Sequence, residues 1–164
     1  MLGFIGGGLM AEPTPKELFD LGMLSYDKQD FSKARKYFEK ACDLNNGGGC
    51  GALGFLYGTG KGVEKNLIKA AYFYAKACDL NNGGGCGNLG VLYQKGEGVE
   101  KDLTKAAYLY SKACELKESF GCGALAALYI NGQGVEKNLT KADQYISKAC
   151  KLGDQEACEA LKEK

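Results

Sequence analysis

The spacing of the cysteines limits most tightly what this chain can fold into. Cys42, Cys50, Cys78, Cys86, Cys114, Cys122, Cys150 and Cys158 are separated alternately by eight and twenty-eight residues along the whole array. That alternation is one face of a general self-similarity with a period of 36 residues. Residues 52–87 and 88–123 match at most positions, and the stretch beginning at residue 124 is a third full copy. A shorter first copy opens at Leu21, with its middle segment four residues shorter than in the others. Fixed periods of this length mark arrays of one supersecondary unit, each unit burying its apolar face against its neighbours. The chain therefore divides into repeat 1 (14–51), repeat 2 (52–87), repeat 3 (88–123), repeat 4 (124–153) and a terminal segment (154–164) that reads as a capping helix with a polar tail.

Each full unit carries two helical patterns. The first places Leu53, Gly54, Leu56 and Tyr57 at helical spacing; the second runs from Leu67 to Cys78 with Ala70, Ala71, Tyr74 and Ala77 as an apolar stripe. Asn66, Asp102 and Asn138 precede the second helix, where a short side-chain acceptor satisfies a free amide and contributes about 1 kcal/mol. Gly60 and Gly62, with Gly96, Gly98, Gly132 and Gly134, break the chain between helices. A phosphate loop is a poor reading of them, since the Lys-Ser/Thr ending is missing and a helix, not a strand, comes before. Alanine and glycine at the inter-helix positions let helices approach closely, with Tyr72, Tyr74, Tyr108 and Tyr110 expected to fill the gaps as core residues. The expected fold is all-α: a right-handed α-α superhelix of helical hairpins with a concave and a convex side.

Each cysteine pair brackets the turn between the second helix of one unit and the first helix of the next. Antiparallel helices joined by a short turn bring such side chains within bonding distance, so the period selects 42–50, 78–86, 114–122 and 150–158. A closed loop of about nine residues contributes roughly 2.5 kcal/mol per bridge in the chain-entropy model. Zinc is the rival reading, but it favours Cys-x2–4-Cys knuckles, often with His. The sequence has neither the knuckles nor any histidine. No metal or cofactor site is expected. Bridges of this kind persist in an oxidising compartment, which points to a secreted or periplasmic protein.

The uncharged stretch of residues 1–11, ending on Ala11, resembles the back half of a secretory leader. A net charge of +1, from 21 basic and 20 acidic residues, argues against nucleic acid as a partner. No segment reaches the ~20 apolar residues of a membrane span.

The full copies approximate Leu-Gly-x-Leu-Tyr-x-x-Gly-x-Gly-Val-x-Lys-Asn/Asp-Leu-x-Lys-Ala, closing on Lys-Ala-Cys. This pattern resembles Sel1-like repeats, longer-looped relatives of tetratricopeptide repeats. The added Cys-x7-Cys is similar to that of the Helicobacter cysteine-rich protein family, and the resemblance covers residues 14–164. It implies a secreted repeat module that binds a protein or peptide, a host protein included, in its concave groove. It also implies a rival: some members carry the name β-lactamase and resemble penicillin-binding proteins, so the alternative is weak β-lactam hydrolysis, with a β-lactam or peptidoglycan fragment as ligand.

The residues give the hydrolase little support. A serine enzyme of that type needs an activated Ser, a base and an oxyanion hole. One Ser-x-x-Lys occurs, Ser25 to Lys28, with neither Ser-Asp-Asn nor Lys-Thr-Gly, at what reads as a solvated helix end. No catalytic residue is assigned. For binding, the copies separate framework from candidates. Leu53, Leu89 and Leu125, Leu56, Leu92 and Leu128, and Tyr57, Tyr93 and Tyr129 are invariant across the full copies. The candidates differ between copies, on or just after the first helix: Phe55, Val91, Asn88, Gln94 and Asn131. The amides Asn88 and Gln94 suit hydrogen bonds to an extended peptide backbone.

Overall fold

The structure is a computed structural model; it describes residues 3–5 and 8–163. A short antiparallel pair, β1 (Gly3–Ile5) and β2 (Gly8–Met10), precedes the helices, with Gly3 opposite Met10. The leader-like segment expected over residues 1–11 lies partly outside the described residues. Helices α1 (Pro15–Asp27), α2 (Phe31–Asp43), α3 (Gly47–Thr59), α4 (Leu67–Asp79), α5 (Gly83–Lys95), α6 (Leu103–Glu115), α7 (Ser119–Asn131) and α8 (Leu139–Lys151) follow, each of 13 residues, and α9 (Gln155–Lys162) has 8. They pair as hairpins α1–α2, α3–α4, α5–α6 and α7–α8. The registers 52, 88 and 124 suggested by self-similarity fall inside α3, α5 and α7. A period has no intrinsic origin; the caps, not the repeat, decide where each helix begins.

Those caps are side chains. Asn66, Asp102 and Asn138 each accept from the backbone amide three residues on, as their sequence position suggests, and Asp30, Asn46, Asn82 and Asp154 do the same. Thr14 and Glu17 form a reciprocal capping box ahead of α1. Glu118, before α7, makes no side-chain cap hydrogen bond.

Between the two helices of a full hairpin the chain turns through two left-handed glycines. In the first such loop these are Gly60 (φ +73°) and Gly62 (φ +71°). Gly62 has a second constraint. A Cβ there would fall 2.6 Å from the carbonyl carbon of Phe31, at the start of the preceding hairpin's second helix. Each Gly-x-Gly loop thus seats on the previous unit, as Gly98 does on Leu67 and Gly134 on Leu103. The α1–α2 connection lacks this loop and is three residues long.

Within a hairpin, a small residue of the first helix faces a large one of the second. A Cβ on Gly54 would meet the Tyr74 ring at 2.8 Å and one on Gly90 the Tyr110 ring at 2.8 Å, while Gly22 lies against Phe38. In the fourth copy the equivalent residues are Ala126 and Ile146. Leu53, Leu56, Leu89, Leu92, Leu125 and Leu128 are buried, as are Tyr74 and Tyr110. Tyr72 and Tyr108 are not core residues: they stand 64% and 65% exposed on the outer side of α4 and α6. Residues two apart point to opposite sides of a helix, so Tyr72 and Tyr74 cannot share a face. A recurring contact closes each full hairpin: Lys69, Lys105 and Lys141 lie over the rings of Tyr57, Tyr93 and Tyr129 at 5.3, 4.8 and 5.4 Å.

All four expected bridges are formed, Cys42–Cys50, Cys78–Cys86, Cys114–Cys122 and Cys150–Cys158, with Cα separations of 4.5 to 4.8 Å. Each ties the last turn of one hairpin to the first turn of the next helix, so the bridges link consecutive repeats. Successive first helices touch, α1 with α3 and α3 with α5, more closely than successive second helices do. The first helices α1, α3, α5 and α7 follow one another along one side of the array, referred to below as its inner side.

Candidate functional site

The inner side is built from the residues of α1, α3, α5 and α7 that the hairpin cores leave free. Aligning Gly22, Gly54, Gly90 and Ala126 puts the helices in register. One row then reads Met23, Phe55, Val91, Ala127; a second reads Tyr26, Gly58, Gln94, Ile130; a third reads Asp20, Ala52, Asn88, Ala124. The surface is bulky and aromatic at its N-terminal end, carries amides in the middle, and presents Ala124, Ala127 and Ile130 at its C-terminal end.

Each expected groove residue has a definite place. Phe55 is 39% exposed, and Asn88 and Asn131 are exposed on α5 and α7. Val91 is half-buried. Gln94 is half-buried, and its Oε1 accepts from the Tyr110 hydroxyl at 2.5 Å, so half of its amide already serves the hairpin. These residues line successive first helices rather than converging on a point, which is the geometry of a track along the array.

Sequence reasoning missed the other half of the N-terminal end. Met23, Tyr26, Phe38, Ala52 and Phe55 line an apolar depression of about 260 Å³ between α1 and α3. Beside it, the Lys61 ammonium sits 5.2, 5.3 and 5.6 Å from the ring centroids of Tyr26, Phe31 and Phe55 and donates to the Tyr26 hydroxyl at 2.9 Å. The signal was the alignment of the short first copy through Gly22, which places Met23 and Tyr26 in the same rows as Phe55 and Gln94.

Ser25 is not at a solvated helix end. It is buried, in the row occupied by Tyr57, Tyr93 and Tyr129, and its hydroxyl donates to the Leu21 carbonyl at 2.9 Å. A helical hydroxyl bonded back to its own turn is ordinary local bonding, not an activated nucleophile. Burial pushes the Tyr74 and Tyr110 hydroxyls up from 10.0 to about 12. Among the described residues, no group of three or more His, Cys, Asp or Glu is placed to hold a metal, and no helix is long and apolar enough to cross a membrane.

The repeat, its capped hairpins and its inter-repeat bridges define a disulfide-stapled helical-repeat protein. Sequence comparison matches residues 49–82, 85–118 and 119–154 to the Sel1 repeat and residues 15–47 to the tetratricopeptide repeat. The chain belongs to the Sel1 repeat family. It is similar to HcpC of Helicobacter pylori, strain J99, with 65% identity over 63 residues, 38% of this chain and 22% of that protein. It is also similar to Beta-lactamase HcpA of the same strain, with 58% identity over 62 residues, 38% of this chain and 25% of HcpA. The aligned stretches thus span about a quarter or less of these relatives. Among solved structures, cysteine-rich protein B of Helicobacter pylori superimposes with a TM-score of 0.66 and 42% identity, covering 80% of this chain and 94% of that one. The protective antigen c5321 of uropathogenic Escherichia coli, described as having an SLR fold, gives a TM-score of 0.84 at 26% identity over 91% of this chain and 33% of its own.

Proposed function

We propose that the protein works outside the cytoplasm as an interaction module, holding an extended segment of a partner protein along the inner faces of α1, α3, α5 and α7. One observation carries this reading. The leucines that do not vary between the full copies are buried, whereas the varying residues Phe55, Asn88 and Asn131 face outward along one continuous side. Invariance serves stacking, and variation is free to serve recognition. The disulfides support an oxidising location, in the periplasm or the secreted fraction, where host proteins are among the partners in reach.

The names of its relatives raise hydrolysis of the β-lactam amide as a second activity, and peptidoglycan fragments as ligands. Here the tethered hydroxyl of Ser25 and the lack of histidine weigh against both known routes. Two measurements on the oxidised protein decide. A display library of extended peptides should enrich binders that Asn88→Ala and Phe55→Ala weaken. A chromogenic cephalosporin should show no turnover above buffer and no covalent adduct by mass. Turnover that copurifies with the protein, with no peptide enriched, overturns the binding reading in favour of a hydrolase.

A further inference from the structure

The cage around Lys61 occurs once in an otherwise repeating molecule. Stacking contacts recur in every full hairpin, as the lysine–tyrosine pairs at Tyr57, Tyr93 and Tyr129 do. The cage does not recur. One unit further on, Tyr26, Phe31, Phe55 and Lys61 are replaced by Gly58, Leu67, Val91 and Glu97; two units on, by Gln94, Leu103, Ala127 and Gln133. Hairpins therefore stack with no aromatic ring in any of the three positions and with either charge, or none, in the fourth. The cage is not needed to build the array.

Its chemistry is incomplete as it stands. An ammonium has three donors. The hydrogen bonds of Lys61 account for one, spent on the Tyr26 hydroxyl, and among the described residues Lys61 makes no ion pair. The Phe31 and Phe55 rings and the Tyr26 hydroxyl hold it in place, so a carboxylate arriving there meets a charge already positioned. The apolar depression shares Tyr26 and Phe55 with the cage, so the two subsites adjoin. At about 260 Å³ the depression suits a side chain rather than a whole small molecule, whose pockets run from ~300 to 1,000 Å³.

We infer that this α1–α3 junction anchors an acidic-apolar motif of the bound peptide, with an aliphatic or aromatic side chain in the depression and an Asp or Glu carboxylate on Lys61. In an extended segment, residues i and i+2 point the same way about 7 Å apart, so the motif is apolar-x-acidic or its reverse. The inference rests on the peptide-groove reading and names the chemistry of its N-terminal end.

The test is peptide display on the full oxidised chain, carried out in parallel on the wild type, Lys61→Gln, Lys61→Arg and Lys61→Glu. All four should be folded at the assay temperature by circular dichroism, since the cage is not needed to build the array. The wild type should enrich peptides with Asp or Glu two positions from an apolar residue. Lys61→Gln should bind those peptides about tenfold or more weakly, with a flatter salt dependence, and Lys61→Arg should retain them. Lys61→Glu should enrich Lys or Arg at the acidic position. Enriched peptides that bind Lys61→Gln as tightly as the wild type, yet are lost on Asn88→Ala, overturn the anchor and leave the groove. Absence of any enrichment on the folded wild type overturns both.

Discussion

The second and third hairpins and the end of the array descend from one repeat but are held together differently. In the middle, α4 buries Ala70, Ala71, Tyr74, Ala77 and Cys78, and α6 a similar set, with large rings seated on Gly54 and Gly90. At the end, α8 buries only Ala142 and Ala149, α9 buries nothing fully, and the ring-on-glycine pairing gives way to Ala126 and Ile146. The bridges are alike in both places. Where packing already fixes the angle between units, a bridge supplements it; Cys150–Cys158 ties down a short helix that buries no residue fully. The same covalent bond therefore has a global role in one place and a local one in the other.

That contrast breaks most directly at the bridges. Replacing Cys78 and Cys86 by Ala should cost about 2–4 kcal/mol in urea unfolding and lower the whole transition. Replacing Cys150 and Cys158 should leave the main transition nearly in place while amide exchange in α9 rises toward that of a frayed end. Equal loss of global stability in the two variants would erase the distinction.

The next effect concerns the paired positions. Gly90→Ala should destabilise by about 1–3 kcal/mol, because its Cβ meets the Tyr110 ring and rings in a packed core yield little. Tyr110→Ile should restore much of that loss, which a double-mutant cycle measures as a coupling term. Gly90→Ala penalties that are identical with and without Tyr110 would show that bulk is not exchanged between the facing residues.

Smaller changes lie at the caps. Asn82→Ala should cost about 1 kcal/mol, while Glu118→Asn, at the equivalent position without a side-chain cap, should gain roughly 0.5–1 kcal/mol. The last effect appears only in alkali. Tyr74 and Tyr110, with folded values pushed up from 10.0 to about 12, stay protonated where an unfolded chain ionises. Their contribution is intact below pH 10 and is lost as pH rises toward about 12. Spectrophotometric titration should show two late tyrosines, removed by Tyr74→Phe and Tyr110→Phe.

Much of this architecture was legible in the sequence because repetition averages out local ambiguity. Asn66, Asp102 and Asn138 were recognisable as caps since three copies agree, and the bridges followed from a spacing that never slips. What repetition cannot reveal is what happens once. The cage draws Tyr26 and Phe31 from the first, shortened copy and Lys61 from a loop position that is Glu97 and Gln133 elsewhere, so no comparison of full copies could assemble it. The outward turn of Tyr72 and Tyr108 was missed for another reason: composition shows how many rings a helix carries, and only their phase shows which are buried.

The four bridges are drawn around the turns at 43–49, 79–85, 115–121 and 151–157, two of them carrying adjacent glycines. Small, polar turns are where proteases enter most readily. A cut inside one of these turns leaves both new ends tied to the same sulfur pair, and the fragments stay together. The unbridged connections between the two helices of a hairpin, the Gly-x-Gly loops and the short α1–α2 link, are where a single cut divides the chain. A cut confined to the bridged turns nicks such a chain without releasing a fragment.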